Sequence, residues 1–435
     1  MTARITFGTT LLVFTAAFAL GKDPPARFFN YDRRHGLPSA EVRCIHQDRR
    51  GFIWVGTNFG LARFDGTRFT LFQHGKEDTN SLVNNTVNSI AEDRKGRLWI
   101  ATAGGLSCFD PYTKRCQNWR PNGHGTRSFS AHCNVGVDVQ GHVWIGHGNG
   151  VTLLEDGDAK KRIEIPLNLT HTPRGNRYIG HVFSAADGGI FLAASNGLYR
   201  ASKGSRWLAR YDSATDVGTG HRVQITALTR IAPDRDGHLW IGSYNHIYHK
   251  FGEQITRILL PDSIRTVMDV VADGDGEHLW LATQSGLVRM EIDGLKQDAE
   301  PRFTVYRHNP VAPYSLGGDD AGALMVDRDG TLWIASSGLS QLDPRSSAVT
   351  EYDYSAHSRF PPFSITPAAE SEAWWILAGG NLLHFSLQTG HFTPHSIDPA
   401  PWYSWNIVER RRGGYWIVGS RALVQMNSEM QPVQN

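Results

Sequence analysis

The amino-acid sequence predicts an all-β fold assembled from nine copies of one short repeat. The clearest copies read D-R-R-G-F-I-W-V-G-T-N-F-G-L from Asp48 and D-R-K-G-R-L-W-I-A-T-A-G-G-L from Asp93. Successive copies are 40 to 53 residues apart when measured between their central aromatic residues, which are Trp54, Trp99, Trp144, Phe191, Trp240, Trp280, Trp333, Trp375 and Trp416. This period, with 45 glycines and 11% aromatic residues, is typical of short strands joined by tight turns.

Each repeat divides into four short strands. In the second copy we predict strands over 87–92, 98–102, 106–110 and 116–119, separated by turns rich in Gly, Asp and Asn. Four antiparallel strands in each repeat predict the blades of a β-propeller, and the repeated Trp should fill the wedge between neighbouring blades. The D-R-D-G segments resemble fragments of calcium loops but lack the distal Glu, so we interpret them as turns.

The two ends of the chain predict how the ring closes. The segment R-F-F-N-Y at Arg27–Tyr31 matches the outer strand of other repeats, and the last repeat, from Trp405 to Met426, has only three strands. We therefore expect a single ring of nine blades that the N-terminal strand closes. The alternative is a seven-bladed ring followed by two blades of an incomplete second propeller.

The N-terminus has the features of an export signal. Arg4 precedes an apolar run from Ile5 to Leu20, and small residues follow at a spacing that a signal peptidase cleaves. We predict a signal peptide over residues 1–21 and a propeller over 22–435, and the alternative is an uncleaved anchor. No later segment is apolar enough to span a bilayer, so we expect a periplasmic protein without a transmembrane span after cleavage.

Charge and cysteine content narrow the function classes. The net charge is +2 without long runs of either sign, so we predict no nucleic-acid partner. Cys108 and Cys116 flank a predicted hairpin turn and form either a disulfide or two buried thiols, whereas Cys44 and Cys133 are predicted to be apolar fillers. The cysteine spacing matches no zinc module, and we predict neither a metal nor a cofactor.

The loops that lead into the innermost strands vary while the repeat persists, as expected of a site carried on a rigid scaffold. A propeller would bring these loops together at its axis. Their polar candidates, which could hydrogen-bond hydroxyl groups, are Asn84, Asn85, His132, His181, Arg222, Arg265, Asp319 and Asp320. Aromatic candidates are Trp402, Tyr403 and Trp405, which form either a carbohydrate platform or packing at the ring closure.

Two segments carry a resemblance to a known family. His35–Gly66, which contains H-G-L-P-S-A-E-V, and Asp78–Val87, which reads D-T-N-S-L-V-N-N-T-V, resemble two-component regulator propeller repeats. The resemblance implies the periplasmic ligand-binding region of a sensor, typically of hybrid histidine kinases that detect oligosaccharides. The family's sensors commonly carry two seven-bladed propellers, an immunoglobulin-like domain and an output domain, and this sequence departs from that pattern.

Taken together, these patterns predict a non-enzymatic sensor module that binds a small molecule or an oligosaccharide at the propeller axis. Without an output domain, such a module would act through a membrane-bound signalling partner. One alternative is a propeller-fold polysaccharide lyase or glycosidase, with Asp319 and Asp320 or with His181 and Tyr178 as its catalytic groups. Another is a protein-interaction scaffold. Motifs of common hydrolases and nucleotide-binding proteins are absent, which favours the binding module.

Overall fold

The chain folds into two compact units in a computed structural model. We call Pro25–Pro344 the ring unit, and Met1–Pro24 with Arg345–Asn435 the two-sheet unit. The structure describes residues 13–15, 26–120, 133–169, 177–264, 266–274, 276–292, 301–312, 314–342, 349–351, 358, 362–368, 373–378, 381–387, 389–395, 404–410, 413–419, 423–428, 431 and 433.

Short antiparallel strands form nearly all of the regular structure. Strands β1 (Val13–Thr15) and β2 (Phe29–Tyr31) come first. Sheets 1 to 4 comprise β3 (Val42–Gln47), β4 (Ile53–Thr57), β5 (Gly60–Phe64) and β6 (Phe69–Phe72); β7 (Val87–Glu92), β8 (Leu98–Thr102), β9 (Gly105–Asp110) and β10 (Arg115–Trp119); β11 (Asn134–Val137), β12 (Val143–His147), β13 (Gly150–Leu154) and β14 (Arg162–Pro166); and β15 (Ile179–Ser184), β16 (Ile190–Ala194), β17 (Gly197–Ala201) and β18 (Ala209–Tyr211).

The remaining strands of the ring unit form sheets 5 to 7. They are β19 (Ser213–Asp216), β20 (Arg222–Gln224), β21 (Leu228–Pro233), β22 (Leu239–Ser243), β23 (His246–Phe251) and β24 (Gln254–Leu259) in sheet 5; β25 (Val267–Ala272), β26 (His278–Thr283), β27 (Gly286–Glu291) and β28 (Phe303–Tyr306) in sheet 6; and β29 (Ala323–Val326), β30 (Leu332–Ser336) and β31 (Gly338–Leu342), with β2, in sheet 7. Three 3₁₀ turns lie at Arg33–His35, Glu155–Gly157 and Ala159–Lys161.

The two-sheet unit repeats the same design. It contains β32 (Val349–Glu351), β33 (Pro362–Pro367), β34 (Ala373–Ala378), β35 (Asn381–Ser386), β36 (Phe392–His395), β37 (Ser404–Glu409), β38 (Tyr415–Gly419) and β39 (Leu423–Met426). Sheet 8 is β33–β36 and sheet 9 is β37–β39, while β1 pairs with β32. In the described part of the chain, no helix is both long and apolar enough to cross a membrane.

The predicted all-β fold of four-stranded blades is confirmed, and the second repeat shows why the prediction succeeded. The expected strands over 87–92 and 98–102 coincide with β7 and β8, and the other two begin one residue earlier than expected. Each second strand of sheets 1 to 5 is buried along its whole length, because neighbouring sheets cover both of its faces. The β-branched and aromatic residues of the repeat are suited to such strands.

The prediction of a single nine-bladed ring is wrong, because the N-terminal strand is already used by sheet 7. Strand β2 pairs with β31 in the register Phe29 to Gln341 through Tyr31 to Leu339, and Ser340 donates a 2.6 Å hydrogen bond to Asn30. First strands contact one another around the ring in the order β3, β7, β11, β15, β21, β25, β29 and again β3. The strand pairing therefore agrees with the alternative, a closed ring of seven sheets followed by two further sheets.

The repeated Asp and Trp form one hydrogen-bonded unit. In sheet 1, Asp48 accepts hydrogen bonds from the Trp54 indole at 2.9 Å and from the backbone N–H groups of Arg50 and Phe52. The Asp-to-Trp bond recurs at 2.8–3.1 Å in sheets 2, 3, 5, 6 and 7. The interpretation of these segments as turns agrees with this geometry, because the carboxylate closes the turn and also satisfies a buried indole donor.

Of the two alternatives for Cys108 and Cys116, the structure agrees with two thiols and not with a disulfide, because the hairpin register places the two sulfurs on opposite faces of sheet 2. Cys116 pairs with Phe109, and Cys108 pairs with Gln117. Directly paired residues share a face while successive residues alternate, so Cys108 and Cys116 face different neighbouring sheets. All four cysteines are free thiols, and Cys44 and Cys133 are buried among apolar residues, as predicted.

Candidate axial binding site

A cavity of about 330 Å³ lies where the seven first strands of the ring unit converge. Every sheet of the ring contributes to its wall. The lining residues are Val42, Arg43, Asn88, Asn134, Tyr178, Gly180, Thr229, Arg230, Tyr244, Met268, Asp269, Gly322 and Ala323. The wall therefore combines two guanidinium groups, two amides, one carboxylate and two phenols, and the volume is at the lower end of the range for small-ligand sites.

A repeated β-bulge brings the polar residues of the wall to the axis. The pairing of the first and second strands shifts at Arg43 in sheet 1, at Asn88 in sheet 2 and at Met268 in sheet 6. A bulge inserts one unpaired residue and bends the strand, which re-aims the side chains beside it. Consequently, consecutive residues such as Met268 and Asp269 both line the cavity, which a regular strand would not allow.

A buried carboxylate joins three sheets at one side of the cavity. Asp269 is 2% exposed and lies 3.1 Å from the Nε atom of Arg230 on β21. It also accepts backbone hydrogen bonds from Val270 at 2.8 Å and from Leu324 on β29 at 2.9 Å. Burial raises the pKa of Asp269, and both the Arg230 charge and these hydrogen bonds oppose the rise. The ion pair thus holds β21, β25 and β29 in place around the axis.

The opposite wall is less constrained. Arg43 is exposed, and its guanidinium donates a long hydrogen bond of 3.4 Å to the side-chain oxygen of Asn88. Asn134, on the next sheet, donates from its amide to the carbonyl oxygen of Ile179 at 3.3 Å. Because these bonds are long, they can be exchanged for bonds to a ligand at little cost. This wall offers donors and acceptors suited to hydroxyl and carboxylate groups.

Three of the predicted site residues stabilise turns in the loops that precede the first strands. Asn85 accepts a 2.7 Å hydrogen bond from the backbone of His74, and Asp319 accepts the equivalent bond from His308 at 2.7 Å. Asn84 accepts from the backbone of Thr86 at 2.8 Å. The Asn84 bond spans two residues, as in an Asx turn, whereas the other two bonds join residues 11 positions apart across the loop. None of the three, nor the exposed Asp320, lines the axial cavity.

Two other predicted residues, His181 and Arg222, lie on an inner strand and on an edge strand, respectively. His181 lies on the first strand of sheet 4, next to the bulge, and its Nδ1 accepts a 3.2 Å hydrogen bond from Ile231 on β21. Burial and the Arg230 charge hold the pKa of His181 well below its usual value. The expectation that Arg222 lies at the axis is wrong, because β20 forms the far edge of sheet 5 and β21 is the inner strand.

The remaining candidates cannot be placed at the site. His132, Arg265, Trp402 and Tyr403 lie outside the described residues. Trp405 occupies the bulge position of β37 in sheet 9, the register position that Arg43 and Asn88 occupy in the ring unit. Trp405 therefore belongs to the two-sheet unit.

Sequence reasoning mostly selected residues that precede the wall of the same repeat, such as Asn85, which comes before Asn88. It selected the loops, whereas the wall comes from the start of the strands, at Arg43, Asn88, Asn134, Arg230 and Asp269. A detectable signal was present, since polar residues here interrupt strands that are otherwise apolar. Their orientation depends on the bulge, which the alternation of polar and apolar residues does not reveal.

Comparisons with known proteins identify the repeat. The family model described as two component regulator propeller matches residues 36–59, 81–104 and 224–245. A segment of 76 residues, 18% of this chain, is 33% identical to "Histidine kinase P4" from Formosa agariphila and spans 6% of that protein.

Two solved structures share the fold. The extracellular domain of the hybrid two-component system BT3049 from B. thetaiotaomicron superposes with a TM-score of 0.61 at 19% identity, covering 94% of this chain and 55% of that chain. The chain thus spans about half the length of that sensor domain. A streptogramin B lyase superposes with a TM-score of 0.54 at 14% identity, covering 73% of this chain and 98% of the lyase. Three segments of the chain thus match two-component regulator propeller repeats, as its sequence predicts, and the chain shares the propeller fold of that sensor domain.

Proposed function

We propose that this chain is an exported sensor module that binds an oligosaccharide in the axial cavity of its ring unit. The observation that carries the proposal is the cavity wall, where Arg43, Asn88 and Asn134 come from three successive sheets. Planar amides and guanidinium groups can bind the paired hydroxyls of a sugar, and Tyr178 and Tyr244 add aromatic surface. Its similarity to sensor domains of hybrid two-component systems supports the proposal.

The charges of the wall favour an acidic sugar. The Asp269 carboxylate is already paired with Arg230, whereas the hydrogen-bond partner of Arg43 is the neutral amide of Asn88. A uronate carboxylate would be recognised by the Arg43 guanidinium through charge-assisted hydrogen bonds. We therefore expect uronate-containing fragments to bind more tightly than neutral fragments of the same size.

An enzymatic role has weaker support from the geometry. Asp319 and Asp320 are exposed and lie outside the axial wall, so they do not form the paired acids that a glycosidase needs. The shared fold with a lyase carries no chemistry by itself, because function depends on the site and not on the fold. We therefore propose a module without catalytic activity that signals through a membrane-bound partner, after export by the N-terminal segment 1–21.

A thermal-shift screen of neutral and uronate-containing oligosaccharides tests this function. We expect at least one acidic fragment to raise the melting temperature of the full chain. Arg43→Ala should abolish the shift, while the matched control Asp319→Ala, outside the wall, should preserve it. Absence of a shift with every fragment would contradict the proposal, as would equal shifts for the Arg43→Ala variant and the original chain.

A further inference from the structure

Sheet 5 differs from the other sheets of the ring unit in the groups that surround its Asp–Trp pair. Asp234 accepts the usual hydrogen bond from the Trp240 indole at 3.0 Å. His238 lies two residues before this Trp, and His249 pairs with it across the sheet, so both imidazoles lie beside the Asp234 carboxylate. Among the described residues, sheet 5 is the one place where a carboxylate and two imidazoles lie this close together.

The spacing of these groups matches a metal site. The Nδ1 atom of His238 lies 3.4 Å from Oδ2 of Asp234 and 3.2 Å from Nε2 of His249, and all three ligand atoms lie within 4.8 Å of one another. Bonds of about 2.0–2.1 Å from Zn²⁺ in a tetrahedral site put ligand atoms roughly 3.3–3.4 Å apart. The observed separations therefore fit an ion bound between the three side chains.

We propose that Asp234, His238 and His249 bind a divalent transition-metal ion. Two imidazoles and one carboxylate are a common protein ligand set for Zn²⁺ and related ions, with water in the fourth position. This inference concerns a different part of the ring unit and goes beyond the proposed axial site. It also departs from the expectation, drawn from the sequence, that the protein binds no metal. The three ligands match no known metal-binding motif in the sequence, because their spacing is that of the ordinary repeat.

Comparison with other sheets indicates what the ion would replace. In sheet 2, Arg97 lies 2.8 Å from the equivalent carboxylate, Asp93, and in sheet 1 Arg50 lies 3.4 Å from Asp48. In those sheets a guanidinium supplies positive charge beside the Asp–Trp pair. Sheet 5 has the imidazole of His238 at the position of Arg97. A bound cation would therefore supply the positive charge that the guanidinium supplies in sheet 2.

The surroundings restrict the orientation of the His249 imidazole. The ring of His249 stacks on Trp240 with centroids 4.2 Å apart, which restricts its orientation. Phe251, which is 61% exposed, contacts the edge of His238 and leaves the cluster accessible from solvent.

Calorimetric titration of the chelator-treated full chain with Zn²⁺ tests the site. We expect one tight site, and His249→Leu and His238→Thr should each weaken binding on the order of 100-fold or more. These replacements are the residues found at the same positions of other sheets, Leu153 and Thr331. The matched control His142→Thr changes the same repeat position of sheet 3 and should leave affinity within about twofold.

A second readout separates coordination from folding defects. Circular dichroism should show that each variant retains the β-sheet signal, and Zn²⁺ should raise the melting temperature of the original chain but not of either variant. Co²⁺ should give the visible absorption of a four-coordinate ion only when both imidazoles are present. The proposal is overturned if the His238→Thr and His249→Leu variants bind Zn²⁺ as tightly as the original chain. It is also overturned if the original chain binds Zn²⁺ no more tightly than a variant that carries both His238→Thr and His249→Leu.

Discussion

The ring unit and the two-sheet unit are built from the same repeat but differ in how many sheets they contain. In the ring unit, each first strand contacts the first strands of two neighbouring sheets. In the two-sheet unit, β33 and β37 contact each other, and the described residues provide sheet 9 with three strands. The same local sequence thus gives a closed ring of sheets with an axial cavity in one unit and a pair of adjacent sheets in the other.

This difference teaches that the repeat specifies the blade but not its surroundings. Trp54 is fully buried between sheets 1 and 2, whereas Trp416, at the same position of sheet 9, is only partly buried. Bulged first strands occur in both units, and in the ring unit seven first strands, bulged or regular, surround one cavity. The axial cavity is therefore a consequence of closure.

Removal of the N-terminal strand should have the largest effect. Deleting residues 26–31 removes the fourth strand of sheet 7 and the Phe28 side chain, which is buried among Trp280, Leu324 and Leu332. We expect the ring unit to lose its cooperative thermal transition, because the loss is comparable with the whole stability of about 5–15 kcal/mol. Circular dichroism and calorimetry would measure this.

The matched deletion of the two-sheet unit sharpens the comparison. Removal of residues 404–435, which include sheet 9, should leave the transition of the ring unit in place. A ring unit that unfolds after this deletion but tolerates loss of residues 26–31 would contradict the seven-sheet closure.

Truncation of the repeated Trp should have the next largest effect, and the effect should depend on the unit. Trp54→Ala removes a fully buried indole and the hydrogen bond that this indole donates to Asp48. We therefore expect a loss of about 3–5 kcal/mol. Trp416→Ala removes a partly buried indole and should cost about half of that or less. Denaturant unfolding followed by circular dichroism measures both; equal losses would show that the exposure of sheet 9 has no energetic consequence.

Loss of the ion pair at the axis should be smaller but still measurable. Arg230→Met leaves the buried Asp269 carboxylate without its partner and should destabilise the ring unit by about 2 kcal/mol. This is below the value for fully buried pairs because the Arg230 side chain is 26% exposed. The double variant Arg230→Met with Asp269→Leu should recover part of the loss in denaturant unfolding.

The two-sheet unit provides the control for this pair. At the corresponding strand positions, Ser364 donates a 2.8 Å hydrogen bond to Asn406, and neither group is charged. Ser364→Ala should therefore cost no more than about 1 kcal/mol. A larger loss for Ser364→Ala than for Arg230→Met would reverse the expected order.

The blades were predictable from sequence, whereas closure and the site were not. Alternating apolar residues and turn glycines locate strands such as β7 and β8, because these signals are local. Strand β2 pairs with β31, which lies about 310 positions further along the chain. Because several outer strands have similar sequences, the sequence alone is compatible with more than one partner for β2. The faces of Cys108 and Cys116 likewise depended on a one-residue register, and the orientation of Arg43 depended on a bulge.

Acidification should have an effect comparable with that of losing the axial ion pair. Burial lowers the pKa of His46 to about 4; the Asp48 charge opposes this shift and Arg328 adds to it. Because an unfolded histidine titrates near pH 6.5, stability is fully present above that pH and is lost as the pH falls towards about 4. We expect a loss of about 1–3 kcal/mol between pH 7 and pH 4 from this residue.

The control uses the residue that the two-sheet unit has at the same position. His46 pairs with Trp54, and Thr366 pairs with Trp375 in sheet 8. His46→Thr should reduce the pH dependence of the melting temperature of the ring unit. An unchanged pH profile would show that the burial of His46 does not control its titration.

The most direct test of the central claim, that ring closure creates the proposed ligand site, compares polar residues on the first strands of the two units. The acidic oligosaccharide that gives the largest thermal shift would be titrated calorimetrically into the full chain and two double variants. Asn88→Ala with Asn134→Ala, in the ring unit, should weaken binding at least about tenfold, since two hydrogen bonds contribute roughly 1.4 kcal/mol or more. Ser364→Ala with Asn406→Ala, in the two-sheet unit, should leave affinity unchanged. Loss of binding in the second double variant and not in the first would contradict the account.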